Sequence, residues 1–201
     1  MLNKIPFILI YSRILIAAII VSIAFIPFQY QAIWIVSLMS FGLLTDVFDG
    51  IIARKLNIST QKLRTLDSNV DQVFWIVSIF SIFYLNIDFI KSNVFLIVLI
   101  FVLEIVGYLV SYLKFKKSIA THSLLAKFWT LTLLAFLIDL CLNSTSTFFF
   151  YTCVVFGVIS RIEMILIIAS LKKWTTDVPT IFSVFRINRG EAIKRNKWFN
   201  G

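Results

Sequence analysis

Apolar runs of about 20 residues, each enough to cross a bilayer as a helix, alternate with short polar breaks along the chain. The pattern predicts six membrane spans: Phe7 to Pro27, Gln31 to about Leu56, about Leu63 to Leu85, about Val94 to Leu113, about Leu124 to Leu142, and about Phe148 to Leu171. Between them, 57–62 reads as a polar turn in which Ser59 and Thr60 can cap the next helix, 86–93 as a short loop, and 143–147 as a second polar turn. The expected fold is all-α, a polytopic membrane protein built as a bundle of six transmembrane helices. The expected organisation is a membrane domain over 1–171 and a basic interfacial tail over 172–201. The second run is longer than the hydrocarbon alone requires, so its end should protrude into the interface.

Composition sharpens this. A mean hydropathy of +0.95 and 60% hydrophobic residues exclude an ordinary soluble domain, and 201 residues leave no room for a separate one. The first run could be mistaken for a signal peptide. Arg13 interrupts what would be its apolar core and no small-x-small cleavage site follows, so a retained helix is expected. The net charge of +9 bears first on orientation. The breaks at 28–30 and 143–147 carry no Lys or Arg, and 86–93 carries only Lys91. The remaining loop cations lie at the N-terminus, in 54–64, in 114–127 and in the tail. Positive-inside counting therefore puts both termini, and the turn between the second and third spans, in the cytoplasm. An integral protein of the cell (inner) membrane is expected, with its chemistry at the cytoplasmic face. Cys141 and Cys153 fall in apolar runs and read as buried free thiols.

Candidate chemistry is concentrated at that turn. Four of the ten acidic residues lie between Asp46 and Asp71. Asp46 and Asp49 are three apart, and Asp67 and Asp71 four apart, spacings that put each pair on one helical face. A helical hairpin brings the two pairs to the same side of the membrane. Four carboxylates in one place repel unless a cation sits among them, and a hard divalent ion such as Mg²⁺ or Mn²⁺ is the usual partner for oxygen ligands. Between the pairs, Gly50 allows close approach of a ligand to the backbone, Ala53 keeps the face shallow, and Arg54 offers a fork suited to phosphate. These residues read as a metal-assisted phosphate-chemistry site at a membrane surface.

Asp46, Asp49, Gly50, Ala53, Arg54, Asp67 and Asp71 resemble the signature of the CDP-alcohol phosphatidyltransferase family, D-x-x-D-G-x-x-A-R followed by G-x-x-x-D-x-x-x-D. The chain departs at Leu63, where the family has its second glycine. The opening NKIPFILIYSRIL loosely resembles the family's first helix, an N-x-P entry followed by an Arg. The resemblance implies transfer of a phosphatidyl group from CDP-diacylglycerol, or a related CDP-alcohol, to the hydroxyl of a small polar alcohol, with release of CMP. The acceptor would be of the glycerol 3-phosphate, inositol phosphate or serine type. In that reading Asp46, Asp49 and Asp67 are metal ligands, and Asp71 is a ligand or the general base. Gly50, Ala53 and Arg54 hold the cytidine diphosphate. A homodimer is also implied. Membrane lipids are expected partners and nucleic acid is not. The same motif serves the reverse arrangement, a soluble CDP-headgroup with a diacylglycerol acceptor, and a degenerate member that binds without turnover. A cation transporter would share six spans and paired aspartates, but does not account for Gly50, Ala53 and Arg54 at these offsets.

Charges within spans are costly and tend to be paired or functional. Arg13 can be read as snorkelling to the interface or as facing phosphate. Glu104, Arg161 and Glu163 can line a cavity or form a structural pair, Glu104 with Arg161 for example. His122, Lys127 and Thr130 resemble a loosely kept Lys-x-x-Thr at the start of the family's fifth helix, which makes Lys127 an acceptor candidate alongside Arg161. His122 reads more simply as an interfacial polar residue. The basic tail, with Trp198 and Phe199, is expected on anionic headgroups, and is where order is least expected.

Overall fold

Eight helices carry the chain in this computed structural model, which describes residues 5–56, 58, 60–117, 123–175 and 178–191, without the side chains of Arg54, Gln61, Lys62 and Arg64. They are α1 (Ile5–Ala24), α2 (Gln31–Lys55), α3 (Gln61–Leu85), α4 (Ile87–Ser92), α5 (Val94–Phe115), α6 (Leu124–Asn143), α7 (Phe148–Ser170) and α8 (Ile181–Asn188). Among the described residues there is no strand. Six of the helices, α1, α2, α3, α5, α6 and α7, are long and apolar enough to cross a membrane.

Three expectations are corrected. The loop expected over 86–93 contains α4, a helix of six residues between the Asn86 and Asn93 breaks. The polar reading of 172–201 missed α8, because its five apolar residues span too short a stretch to register as a membrane-length run. The third helix, expected from about Leu63, begins two residues earlier, at Gln61: the Thr60 hydroxyl accepts from the Leu63 N–H at 3.2 Å, so the first turn lies before the apolar pattern begins. His122 and the end of the tail, including Lys194, Arg195, Lys197, Trp198 and Phe199, lie outside the described residues.

The chain divides into two compact units. The first comprises Met1–Phe89 and Leu137–Thr145, and here α1 packs against both α2 and α3. The buried residues of α1 are Pro6, Ile10, Arg13, Ile16, Ala17, Ile20 and Ala24, a stripe at steps of three and four that a helix presents on one side. At its far end the Gln31 side-chain amide donates to the carbonyls of Ile23 (2.8 Å) and Ala24 (3.1 Å), which satisfies helix-end acceptors that lipid could not. Helices α2 and α3 meet closely at Gly42, where a Cβ would run into the ring of buried Phe74. The second unit comprises Ile90–Phe136 and Ser146–Gly201, with α5 against α7 and α8 against the end of α7. Many large apolar side chains of the spans are exposed, Phe95 and Leu113 among them, as expected of surfaces whose solvent is lipid. Cys141 and Cys153 are both buried and free.

Candidate active site

Four carboxylates converge on one guanidinium in the first unit. Asp46 and Asp49 come from the last turns of α2, and Asp67 and Asp71 from the first turns of α3. At the end of α2 the Ile58 N–H donates to the Ala53 carbonyl at 3.1 Å. On the turn side of the carboxylates, Ile10, Ala53, Leu63 and Val70 form a buried apolar cluster, with Ile58 and Leu66 packed against it. Ala53, read as keeping a face shallow, is thus covered by its neighbours. Leu63, where the family has glycine, is part of this cluster.

Arg13 lies on the buried stripe of α1, one turn beyond Ile10. Its Nη1 lies 3.0 Å from Asp46 Oδ1 and also contacts Asp71. Its Nη2 lies 2.5 Å from Asp67 Oδ1 and also contacts Asp49. The side chain is 0% exposed. Snorkelling is thereby overturned: the tip of Arg13 points into the hairpin, because four negative groups there outweigh a single excursion to the interface. The signal was present in the sequence, since Arg13 falls at the same spacing as Ile10, Ala17 and Ile20 on the inward stripe.

The exposures divide the acids. Asp49 is 3% exposed at its side chain, whereas Asp46, Asp67 and Asp71 remain open at 34%, 29% and 27%. One oxygen from each of Asp46, Asp49 and Asp67 lies within 4.8 Å of the others. Oxygens on one Mg²⁺ stand at most about twice a 2.1 Å bond apart, so these three lie within a small adjustment of sharing a hard ion. The charge count agrees, because one guanidinium offsets one of four carboxylates. The donors are all hard oxygens, the set that Mg²⁺ and Mn²⁺ take.

The remaining expected residues fall elsewhere. Gly50 lies on α2 one residue beyond Asp49, and the Arg54 side chain lies outside the described residues. Lys127 and Arg161 belong to the second unit. Lys127 is exposed near the start of α6, where the Ser123 hydroxyl accepts from the Ala126 N–H at 3.2 Å. Arg161 is buried, ion-paired to Glu104, with its guanidinium carbon 3.9 Å from the Trp129 ring centroid. Gly157 gives the indole its place, since a Cβ there would stand 2.7 Å from Trp129 Nε1. Glu163, two residues beyond Arg161, reaches the start of α8, accepting from the Ile181 N–H at 3.3 Å. The in-span charges of this unit thus form one ion pair and one helix-end contact.

A family model described as CDP-alcohol phosphatidyltransferase matches residues 3–171, which take in all six spans and every aspartate of the site. Neither any curated protein nor any solved structure matches the chain. The family is one of transferases in phospholipid synthesis, generally dependent on a divalent metal. With that match, and an aspartate cluster whose donors suit such an ion, the chain belongs to the CDP-alcohol phosphatidyltransferase family.

Proposed function

We propose that this protein transfers a phosphatidyl group from CDP-diacylglycerol to the hydroxyl of a small polar alcohol, releasing CMP, at the cytoplasmic face of the cell membrane. Phosphatidyl transfer from a CDP-alcohol follows from the family. The observation that carries the finer reading is the convergence of Asp46, Asp49, Asp67 and Asp71 from two helices on one focus that is short of positive charge. Asp46, Asp49 and Asp67, with Asp71 beside them, would hold Mg²⁺ or Mn²⁺, which supplies charge neutralisation to the diphosphate and to the leaving group.

The protein's own residues divide the remaining work. Asp49, the most enclosed of the four, is suited to holding a cation rather than meeting substrate. Asp71 is open enough to meet an acceptor, and takes the hydroxyl proton. The hydroxyl oxygen forms its bond to the lipid-side phosphorus as the bond from that phosphorus to the CMP oxygen breaks, and CMP leaves with the electron pair. Gly50 and Arg54 would hold the cytidine diphosphate along α2, with Ala53, covered by its neighbours, keeping that face shallow. For the acceptor, Lys127 and Arg161 are the candidate contacts, and the charge of Arg161 is already engaged by Glu104. Lipid tails stay in the bilayer while the charged head and a water-soluble acceptor meet at its edge.

CMP release by purified protein in lipid, with CDP-diacylglycerol, Mg²⁺ or Mn²⁺ and single candidate alcohols, tests this beside Asp71→Asn. General bases contribute about 10²–10⁴-fold, so the variant should lose at least two orders of magnitude with the one acceptor that supports turnover. Equal release by the two proteins would remove Asp71 from the mechanism.

A further inference from the structure

The second unit ends in a helix that is held in one orientation and displays apolar residues away from its own packing. Val184 of α8 is buried with Ile167, Leu171 and Val178, and Ile181 and Ile187 pack against that cluster. Polar contacts pin both ends. The Ile181 N–H donates to Glu163 Oε1 at 3.3 Å, the Asn188 side-chain amide donates to the Ser170 carbonyl at 2.8 Å, and Asn188 Oδ1 accepts from the Lys172 N–H at 3.0 Å. Helix α8 therefore cannot roll to hide its other residues. Phe182 is 77% exposed and Phe185 60%. At 3.6 residues per turn their stripe lies about 130° round the helix from Val184, with Arg189 inside it and Arg186 on its edge.

The surroundings are basic. Lys172 and Lys173 are exposed, and Lys117 Nζ stands 4.5 Å from the centroid of the Trp174 ring. The Lys114 ammonium caps the end of α7 through the carbonyls of Ile168 and Ala169. Glu191 offsets part of this, pairing with Arg186 at 3.1 Å. Only the segment 171–180 separates α8 from the last membrane-crossing helix, so the apolar stripe stands near the end of a span.

We propose that α8 is an interfacial helix, with Phe182 and Phe185 seated among acyl chains and the surrounding lysines and arginines on anionic headgroups. Three features point to a lipid surface rather than to a protein groove. The helix adjoins the end of a span; its exposed apolar stripe is narrow and consists of phenylalanine; and its rim is cationic, matching the negative charge of a cytoplasmic leaflet. Its role is to tie the end of α7 to the plane of the bilayer. It rests on neither the aspartate site nor the transfer reaction.

The test places a nitroxide on full-length protein in nanodiscs, at Phe182→Cys or Phe185→Cys, with Lys173→Cys as the reference, after replacing Cys141 and Cys153 by Ala. Collision with oxygen, which concentrates in lipid, is compared with collision with a water-soluble nickel chelate. Labels at 182 and 185 should favour oxygen several-fold, while the label at 173 favours nickel. Adding phosphatidylglycerol to phosphatidylcholine discs should deepen the first two, and Arg186→Gln with Arg189→Gln should abolish that response. Nickel preference at 182 and 185 would overturn the proposal. So would dipolar broadening that disappears on dilution with unlabelled protein, which would mark the stripe as a contact between copies. If the cysteine replacements disturb folding, Phe182→Trp in the otherwise native chain gives the same decision: brominated lipid should quench the added fluorescence, and quenching by aqueous acrylamide alone would refute the seat.

Discussion

Replacing Arg13 by Met should make the protein less stable without metal and more avid for it. Arg13 supplies the positive charge seen among Asp46, Asp49, Asp67 and Asp71, and it does so from a fully buried position. Met keeps much of the volume on the inward stripe of α1 and removes the charge. Breaking a buried ion pair from one side costs about 3–5 kcal/mol. Asp49 is the carboxylate to which that figure applies, because the other three retain solvent. The guanidinium also occupies the oxygens that a divalent ion would take, so ion and arginine compete. If about 3 kcal/mol of the metal-free stability comes from Arg13, its removal should tighten metal binding by about two orders of magnitude, at 1.4 kcal/mol per tenfold. The assay is Mn²⁺ binding by electron paramagnetic resonance on detergent-purified protein, with melting temperature measured with and without the ion. The variant should melt lower without Mn²⁺ and close the gap as Mn²⁺ saturates. Millimolar guanidinium should partly restore metal-free stability in Arg13→Ala and compete with Mn²⁺ there. Mn²⁺ binding to a folded Arg13→Met no tighter than to the native protein would refute the competition, and no binding to either would refute the metal assignment itself.

Other outcomes follow from the packing. Gly42→Ala places a methyl group against the buried Phe74 ring between α2 and α3, and overpacking of this kind costs about 1–3 kcal/mol; thermal unfolding should show the loss, and an unchanged midpoint would mean that the helices separate freely there. Glu104→Gln leaves Arg161 buried without its charge partner, which should destabilise by about 3–5 kcal/mol, while Glu104→Gln with Arg161→Met should recover most of it; additive losses in the double-mutant cycle would show the pair to be uncoupled. Leu63→Ala opens a cavity beside Ile10, Ala53 and Val70 and should cost about 2–5 kcal/mol; a neutral result would mean that the cluster collapses around it.

Some of this molecule could be read from residue order alone. Hydrocarbon thickness sets a length near 20 residues, so six apolar runs announced six spans. The aspartates were legible for a related reason. A carboxylate is costly enough in an apolar chain that four within 26 positions need a shared purpose, and helical spacing places each pair on a face. Signals of two kinds were weaker. Helices α4 and α8 are short, and their apolar residues, three of six and five of eight, do not make a run of membrane length. Turn chemistry at Asn86 and Asn93, and polar pins from Glu163 and Asn188, hold them instead.

What only tertiary structure decided is which charges meet. Arg13 stands 33 residues from Asp46 and 54 from Asp67 along the chain, and its destination depends on α1 packing against both arms of the hairpin. Arg161 and Glu104 find each other by the same means, through the packing of α5 on α7. Periodicity reports the side of a helix on which a residue lies, because that is a property of the helix alone. It does not report what the side faces. A buried charge takes the partner that packing delivers, and the energy of that choice resides in contacts between segments far apart in sequence.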